Sequence, residues 1–200
     1  MYLTNVSEDN DPVQLNIFEM MAGDICAGAQ PGRQLLAKLI TACSGSPAAA
    51  EPVFIDFRSV DIATASFLRE SVLALCTLLR GRKSNYYPVI ANANALIADE
   101  FSILLEPARE ALLSCTLENA EAITKVSLLG RLEDKQKRVF DLVETRGETD
   151  AGELQQDFGA SEGVQQTAWN NRLAALAGLG LIVEMSRGRA KRYSALLKGD

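Results

Sequence analysis

Histidine is missing from all 200 residues of the chain. Its absence removes the Ser-His-Asp triad, the Cys-His pair and most zinc-hydrolase chemistry together. Neither G-x-x-x-x-G-K-[ST] nor G-x-G-x-x-G occurs, so the two common phosphate cradles are missing as well. No apolar run approaches the roughly 20 residues that span a bilayer, and no membrane contact is expected. The opening stretch, MYLTNVSEDNDP, is polar and acidic and lacks the basic and apolar regions of a signal peptide, which points to a cytoplasmic location. Cys26, Cys43, Cys76 and Cys115 are far apart and form no C-x-x-C pair, so they are expected as buried free thiols packed like small hydrophobes. No metal site and no cofactor is expected. With no catalytic constellation in view, the chain is not read as an enzyme.

What is present describes a globular protein of one or two domains: 48% of residues are apolar and 23% charged. The formal net charge of −6 is unevenly distributed. Residues 1–130 carry 9 basic and 15 acidic side chains, whereas residues 131–200 carry 11 of each. Between Val164 and Lys198 the count is Arg172, Arg187, Arg189, Lys191, Arg192 and Lys198 against Glu184 alone, a local net of +5. Phosphate contact depends on the surface presented rather than on the charge of the whole chain.

The first part of the chain alternates strand-like and helix-like segments. PVQLNIFEMM reads as a strand, and GRQLLAKLITAC as a helix with Leu35, Leu36, Leu39, Ile40 and Cys43 on one stripe. PVFIDF is a β-branched and aromatic run of the kind buried in a parallel sheet. TASFLRESVLALCTLLR is helical up to Gly81, with Arg80, Arg82 and Lys83 at the negative end of the helix dipole. YYPVIANAN is a further strand, and ALIADEFSILLEPAREALL a helix broken near Pro107. This alternation predicts an α/β layer architecture.

The character changes between Ala122 and Glu133, where the β-α-β rhythm gives way to three helices and a hairpin. EDKQKRVFDLVETRG buries Val139, Phe140, Leu142 and Val143 and stops at Gly147. Asp150 and Glu153 form a capping box that opens AGELQQDFG. Gly159 is expected to end that helix and Ser161 to cap the next.

Phasing the third of these helices on Trp169 at 100° per residue puts Leu173 and Leu176 within about 40° of it, a buried stripe. Thr167, Asn170 and Asn171 fall between roughly 100° and 200°, on the opposite side, with Ala174 among them. Asparagine pairs bidentately with adenine and threonine meets a thymine methyl, so this face suits a DNA groove. Gln165 and Gln166 flank it at the N-terminal end, and Arg172, near the edge of the buried stripe, is placed for a backbone phosphate. LIVEMS and KRYSALL are strand-like, and RGRA can turn between them at Gly188. Arg187, Arg189, Lys191 and Arg192 then crowd one hairpin, a repulsion that an anion such as DNA phosphate would relieve.

TAWNNRLAALAGLGLIVEMSRGRAKRYSAL resembles the winged helix-turn-helix regulators of bacteria and archaea, with their N-R-L-x-x-L-x-x-x-G-L-[IV] stretch and G-R-x-x-x-Y wing. The resemblance covers about 70 residues from Arg131 onward. PVFIDFRSVDIATASFLRESVLAL in turn looks like the STAS (sulfate-transporter and anti-sigma-antagonist) fold, nearest its divergent STAS-like group, over roughly residues 12–120. There the strand aspartate is Asp56 and the helix start is Thr64-Ala65-Ser66-Phe67-Leu68. Antagonists of that family carry Asp-Ser-Ser-Gly and are phosphorylated on the first serine. Ala65 stands at that position here, Ser66 takes the second, and Phe67 replaces the glycine. Ser66 is therefore expected as a helix-cap or first-turn residue without a regulatory role.

The expected architecture is a STAS-like α/β domain over residues 1–127 and a winged helix-turn-helix domain over residues 128–200. The resemblances imply a sequence-specific DNA-binding transcriptional regulator. The expected DNA contacts are Gln165, Gln166, Thr167, Asn170, Asn171, Arg172, Arg187, Arg189, Lys191 and Arg192. Double-stranded DNA is the expected partner, with a kinase-like ATPase or a second copy of the chain at the N-terminal domain. The alternative is a protein-interaction module whose winged helix docks to protein instead of DNA.

Overall fold

The structure is a computed structural model and describes residues 13–118, 122–187 and 190–197. Three apolar runs form its centre: Glu51–Asp56 (β3), Tyr86–Ala91 (β5) and Ala111–Leu117 (β6) lie side by side and parallel. Val13–Asn16 (β1) adds in parallel outside β3, and Ile123–Gly130 (β7) runs antiparallel outside β6. The sheet order is β1-β3-β5-β6-β7, and the protein is mixed α/β with a parallel-rich central sheet.

Two strand readings are corrected here. PVQLNIFEMM is a strand only as far as Asn16, whose side-chain oxygen accepts from Glu19 N at 3.1 Å and starts a short helix, Ile17–Met21 (α1). The run after Pro107 is β6, not the tail of a helix. Its residues are buried almost without a break, which erases the alternation that distinguishes a strand from a buried helix.

Successive side chains of a strand point to opposite faces. Val53, Ile55, Ile90 and Leu112 enter one apolar cluster, under Ala29–Ala42 (α2), Ala95–Leu105 (α5) and the helical stretch 65–81. That stretch comprises Ala65–Leu68 (α3), a π-helical turn at Arg69–Leu73, and Ala74–Gly81 (α4). Buried Ser71 lies in the π turn and donates to the Phe67 carbonyl at 2.7 Å. The same carbonyl lies 2.7 Å from where a Cβ on Gly32 would sit, so α2 approaches this helix through a glycine. Between these elements, Ile25–Cys26 (β2) and Ile62–Ala63 (β4) form a small parallel ladder.

Phe54, Val89, Ala91, Leu113 and Cys115 enter a second cluster on the other face, together with Val139, Phe140, Leu154, Trp169, Leu173 and Tyr193 from beyond residue 130. The covering elements are Asp134–Arg146 (α6), Glu148–Thr149 (β8), Ala151–Glu162 (α7), Gln166–Gly178 (α8), and a hairpin of Ile182–Arg187 (β9) and Ala190–Ala195 (β10). The last three strands form an antiparallel sheet of order β8-β10-β9. Burial on both faces explains why β3, β5 and β6 are continuous apolar runs.

Asp56, 1% exposed at the end of β3, holds the neighbouring strands together. Its carboxylate accepts from Gln14 Nε2 at 2.8 Å, Asn92 Nδ2 at 2.8 Å and Arg58 N at 2.9 Å. Asn92, at φ 55°, also accepts from Leu117 N at 3.0 Å, and Arg58 donates to the Leu117 carbonyl. The network runs from β1 through β3 and the end of β5 to β6.

A chain truncated after Gly130 would leave the second sheet face in water. We expect it to lose the cooperative unfolding transition of the full chain, as read by circular dichroism in urea. An unchanged midpoint would show instead that the two halves fold independently.

Candidate nucleic-acid interface

Local sequence rules set up the C-terminal elements. Asp150 caps α7, accepting from Gly152 N at 2.8 Å and Glu153 N at 2.9 Å, while Glu153 accepts from Asp150 N at 3.2 Å. This is the reciprocal box that the D-x-x-E spacing predicts. The helix does not end at Gly159. That glycine lies inside α7 beneath the Gln155 amide, and the chain turns at Gly163, which adopts the left-handed φ of 63° that terminates helices. Accordingly Ser161 lies within α7, and Gln165 is the residue that precedes α8 in extended conformation.

Trp169, Leu173 and Leu176 are fully buried, as the phasing requires. Opposite them, Gln165, Gln166, Thr167, Asn170 and Asn171 are all exposed, and α8 contains no carboxylate. Arg172 is half-buried and its guanidinium lies 5.3 Å from the centroid of the Trp169 ring, a cation–π contact. Further along the same outward stripe, Ala174, Ala177 and Gly178 face a cleft shared with Lys83 and Tyr87 of the first half. The N-terminal half of α8 is therefore the part that a groove could meet.

The cations of the hairpin divide. Arg187 ends β9 with its Cα in register with Ala190, and Arg189 lies outside the described residues. Lys191 is exposed and its Nζ lies 2.7 Å from Glu184 Oε1. Arg192 departs from the sequence reading. Its guanidinium donates to Asp150 Oδ2 and Glu153 Oε1, each at 3.0 Å, to Glu153 Oε2 at 3.3 Å, and to Glu148. Three carboxylates thus occupy a side chain placed by the sequence among the phosphate contacts. These acids precede Arg192 by 39 to 44 residues in sequence, so a charge count along the local segment could not register them. Tyr193, also buried, donates to Glu184 Oε2 at 3.2 Å.

Titration follows the same geometry. The hydrogen bond from Arg192, with lesser help from Thr149 and the Asp150 backbone, holds the Glu153 carboxyl below the ordinary glutamate value. Burial pushes the thiols of Cys43, Cys76 and Cys115 up to about 11, and that of Cys26 up as well. All four cysteines are free and buried. At the start of α3, Ser66 Oγ lies 3.2 Å from Thr64 Oγ1, which also accepts from Gly28 N at 3.1 Å. Ser66 is thus a first-turn residue, and Thr64 is the residue that precedes the helix. Among the described residues no group of three or more acids or cysteines could hold a metal ion, and no helix is long and apolar enough to cross a membrane.

A carboxyl whose pKa is lowered by folding stabilises the protein above its unfolded value, and that stability is lost as pH falls through the folded one. Acidification below about pH 4.3, the ordinary glutamate value, should therefore lower the urea midpoint. Arg192→Ala should reduce the midpoint at neutral pH and make the acid-induced fall shallower. Denaturation curves from pH 7 to pH 3 check both. No family model matches the chain, and neither does any curated protein.

Proposed function

We propose that the protein is a sequence-specific DNA-binding transcriptional regulator, in which α6 to β10 form a winged helix-turn-helix and α8 reads the major groove. The observation that carries this reading is the exposed, carboxylate-free stripe of Gln165, Gln166, Thr167, Asn170 and Asn171 on a helix anchored by Trp169. The order helix, strand, helix, helix, hairpin, with sheet order β8-β10-β9, supports it. In this arrangement the second helix of a pair enters the groove and the hairpin lies along the backbone. Arg187, Arg189 and Lys191 are the hairpin's proposed phosphate contacts, whereas Arg192 organises the wing from within. Arg172 supports Trp169 and borders the phosphate path.

The first half is read as a STAS-like domain that binds a partner or a second copy of the chain. Supporting this, the β2–β4 ladder pairs Ile25 with Ile62, which are 63% and 44% exposed. A kinase-like ATPase is the class of partner that the resemblance implies.

Mobility-shift titrations against upstream DNA fragments across a salt series test the proposal. Affinity should fall steeply with salt, and Arg187→Ala with Arg189→Ala should lower the salt slope by about 2 without changing sequence preference. Asn170→Ala should cost about tenfold on the preferred sequence and little on random DNA. Salt-independent retention, or no retention at all, would favour the protein-docking alternative.

A further inference from the structure

The outward stripe of α8 runs into a cleft of about 420 Å³ between this helix, the start of β9 and the corner where α4 turns into β5. That volume is within the range of small-molecule sites, which favour the junctions between packed units. One wall is flat, because α8 presents only Ala174, Ala177 and Gly178 there. On the facing side Tyr87 presents its ring, whereas Tyr86 turns to the opposite sheet face with its hydroxyl against Gly45, and Arg80, Lys83, Ser84 and Asn85 make the rest of the lining polar.

The charges around the cleft are not equally available. Arg80 Nη1 is held by Glu110 Oε2 at 2.8 Å, and Glu184 by Lys191 at 2.7 Å and by the Tyr193 hydroxyl. Lys83 is exposed and pairs with no acid among the described residues. The half-buried Tyr87 hydroxyl likewise has no hydrogen-bond partner among them. Burial and the nearby Glu184 charge push the Tyr87 phenol up, so it stays a protonated donor. The cleft therefore offers a cation and an O–H donor beside a slot of mixed lining, bounded by the small residues of α8 and the Tyr87 ring.

We propose that this cleft is a binding site for a small planar aromatic anion, its ring lying between α8 and Tyr87 and its carboxylate or sulfonate meeting Lys83 and the Tyr87 hydroxyl. A ring with one anionic substituent matches both features. A cation would find in Glu184 an acid already engaged by Lys191 and Tyr193, and a fully polar ligand would leave the Tyr87 ring and the Ala174 and Ala177 surface unmatched. The site is independent of the DNA reading, since none of its donors is assigned to phosphate.

Calorimetric titration of the 200-residue chain with 2-naphthoate tests the proposal, with uncharged 2-naphthamide as the comparison. Saturable one-to-one binding of the acid is expected. Lys83→Gln should weaken it about tenfold, the loss of one charge-assisted contact, while leaving the amide's weaker binding unchanged. Ala177→Trp, which fills the flat wall, should abolish it, with thermal melting used to verify that the variant folds. Lys83→Gln is at an exposed position and decides the matter even if Ala177→Trp does not fold. Absence of saturable binding, equal affinity for the amide, or indifference to Lys83→Gln would each overturn the assignment. All of these readouts are taken without DNA, so failure of the DNA reading would leave them unaffected.

Discussion

The second face of the central sheet has to be covered. Phe54, Val89, Ala91, Leu113 and Cys115 all point that way, and what covers them is the helical and hairpin unit beyond residue 130. Burying one large apolar side chain is worth about 1.5–3 kcal/mol, and a whole domain is stable by only about 5–15 kcal/mol. Exposing several such side chains would therefore use up the margin on which the folded state depends. Trp169, Leu173 and Leu176 serve this cover, so the same helix carries a structural face and a free one. The polar stripe is held rigidly because its opposite side is locked into the protein's own core.

Charge is organised by the same folding-back. The formal +5 between Val164 and Lys198 suggests a strongly cationic hairpin, but two of its six cations are paired internally. Arg192 is bound by acids from β8 and the start of α7, and Lys191 lies beside Glu184. The arrangement at Arg192 stabilises the first turn of α7, where carboxylates also suit the positive end of the helix dipole. Arg138 and Arg146 of α6 are similarly engaged with Glu162 and Asp157, and both lie over the Phe158 ring.

Local rules were legible in the sequence wherever a few neighbouring residues decide the outcome. The Asp150–Glu153 box, the Trp169 stripe, the PVFIDF strand and the buried cysteines follow from spacing and composition alone. What escaped depends on the whole fold. β6 is apolar at nearly every position because it is buried on both sides, so periodicity could not reveal it, and two-residue β8 is too short to leave a pattern. Gly159 resembles a helix stop, yet only the packing of Gln155 over it reveals an interior position. The role of Arg192 depends on acids about 40 residues away, and the cleft exists only because α8 passes the α4–β5 corner. Of the candidate interface, the exposed face of α8 was legible, but not the division of the hairpin cations.

The burial of the thiols has a practical side. The thiolate is the reactive form of cysteine, and with values of about 11 for Cys43, Cys76 and Cys115, and a raised one for Cys26, almost none is present at neutral pH. All four are also shielded from solvent. The native chain is thus nearly silent towards maleimides, and a single cysteine introduced on the exposed stripe of α8 would carry a fluorophore on its own. Binding at that face could then be followed without first removing any natural thiol.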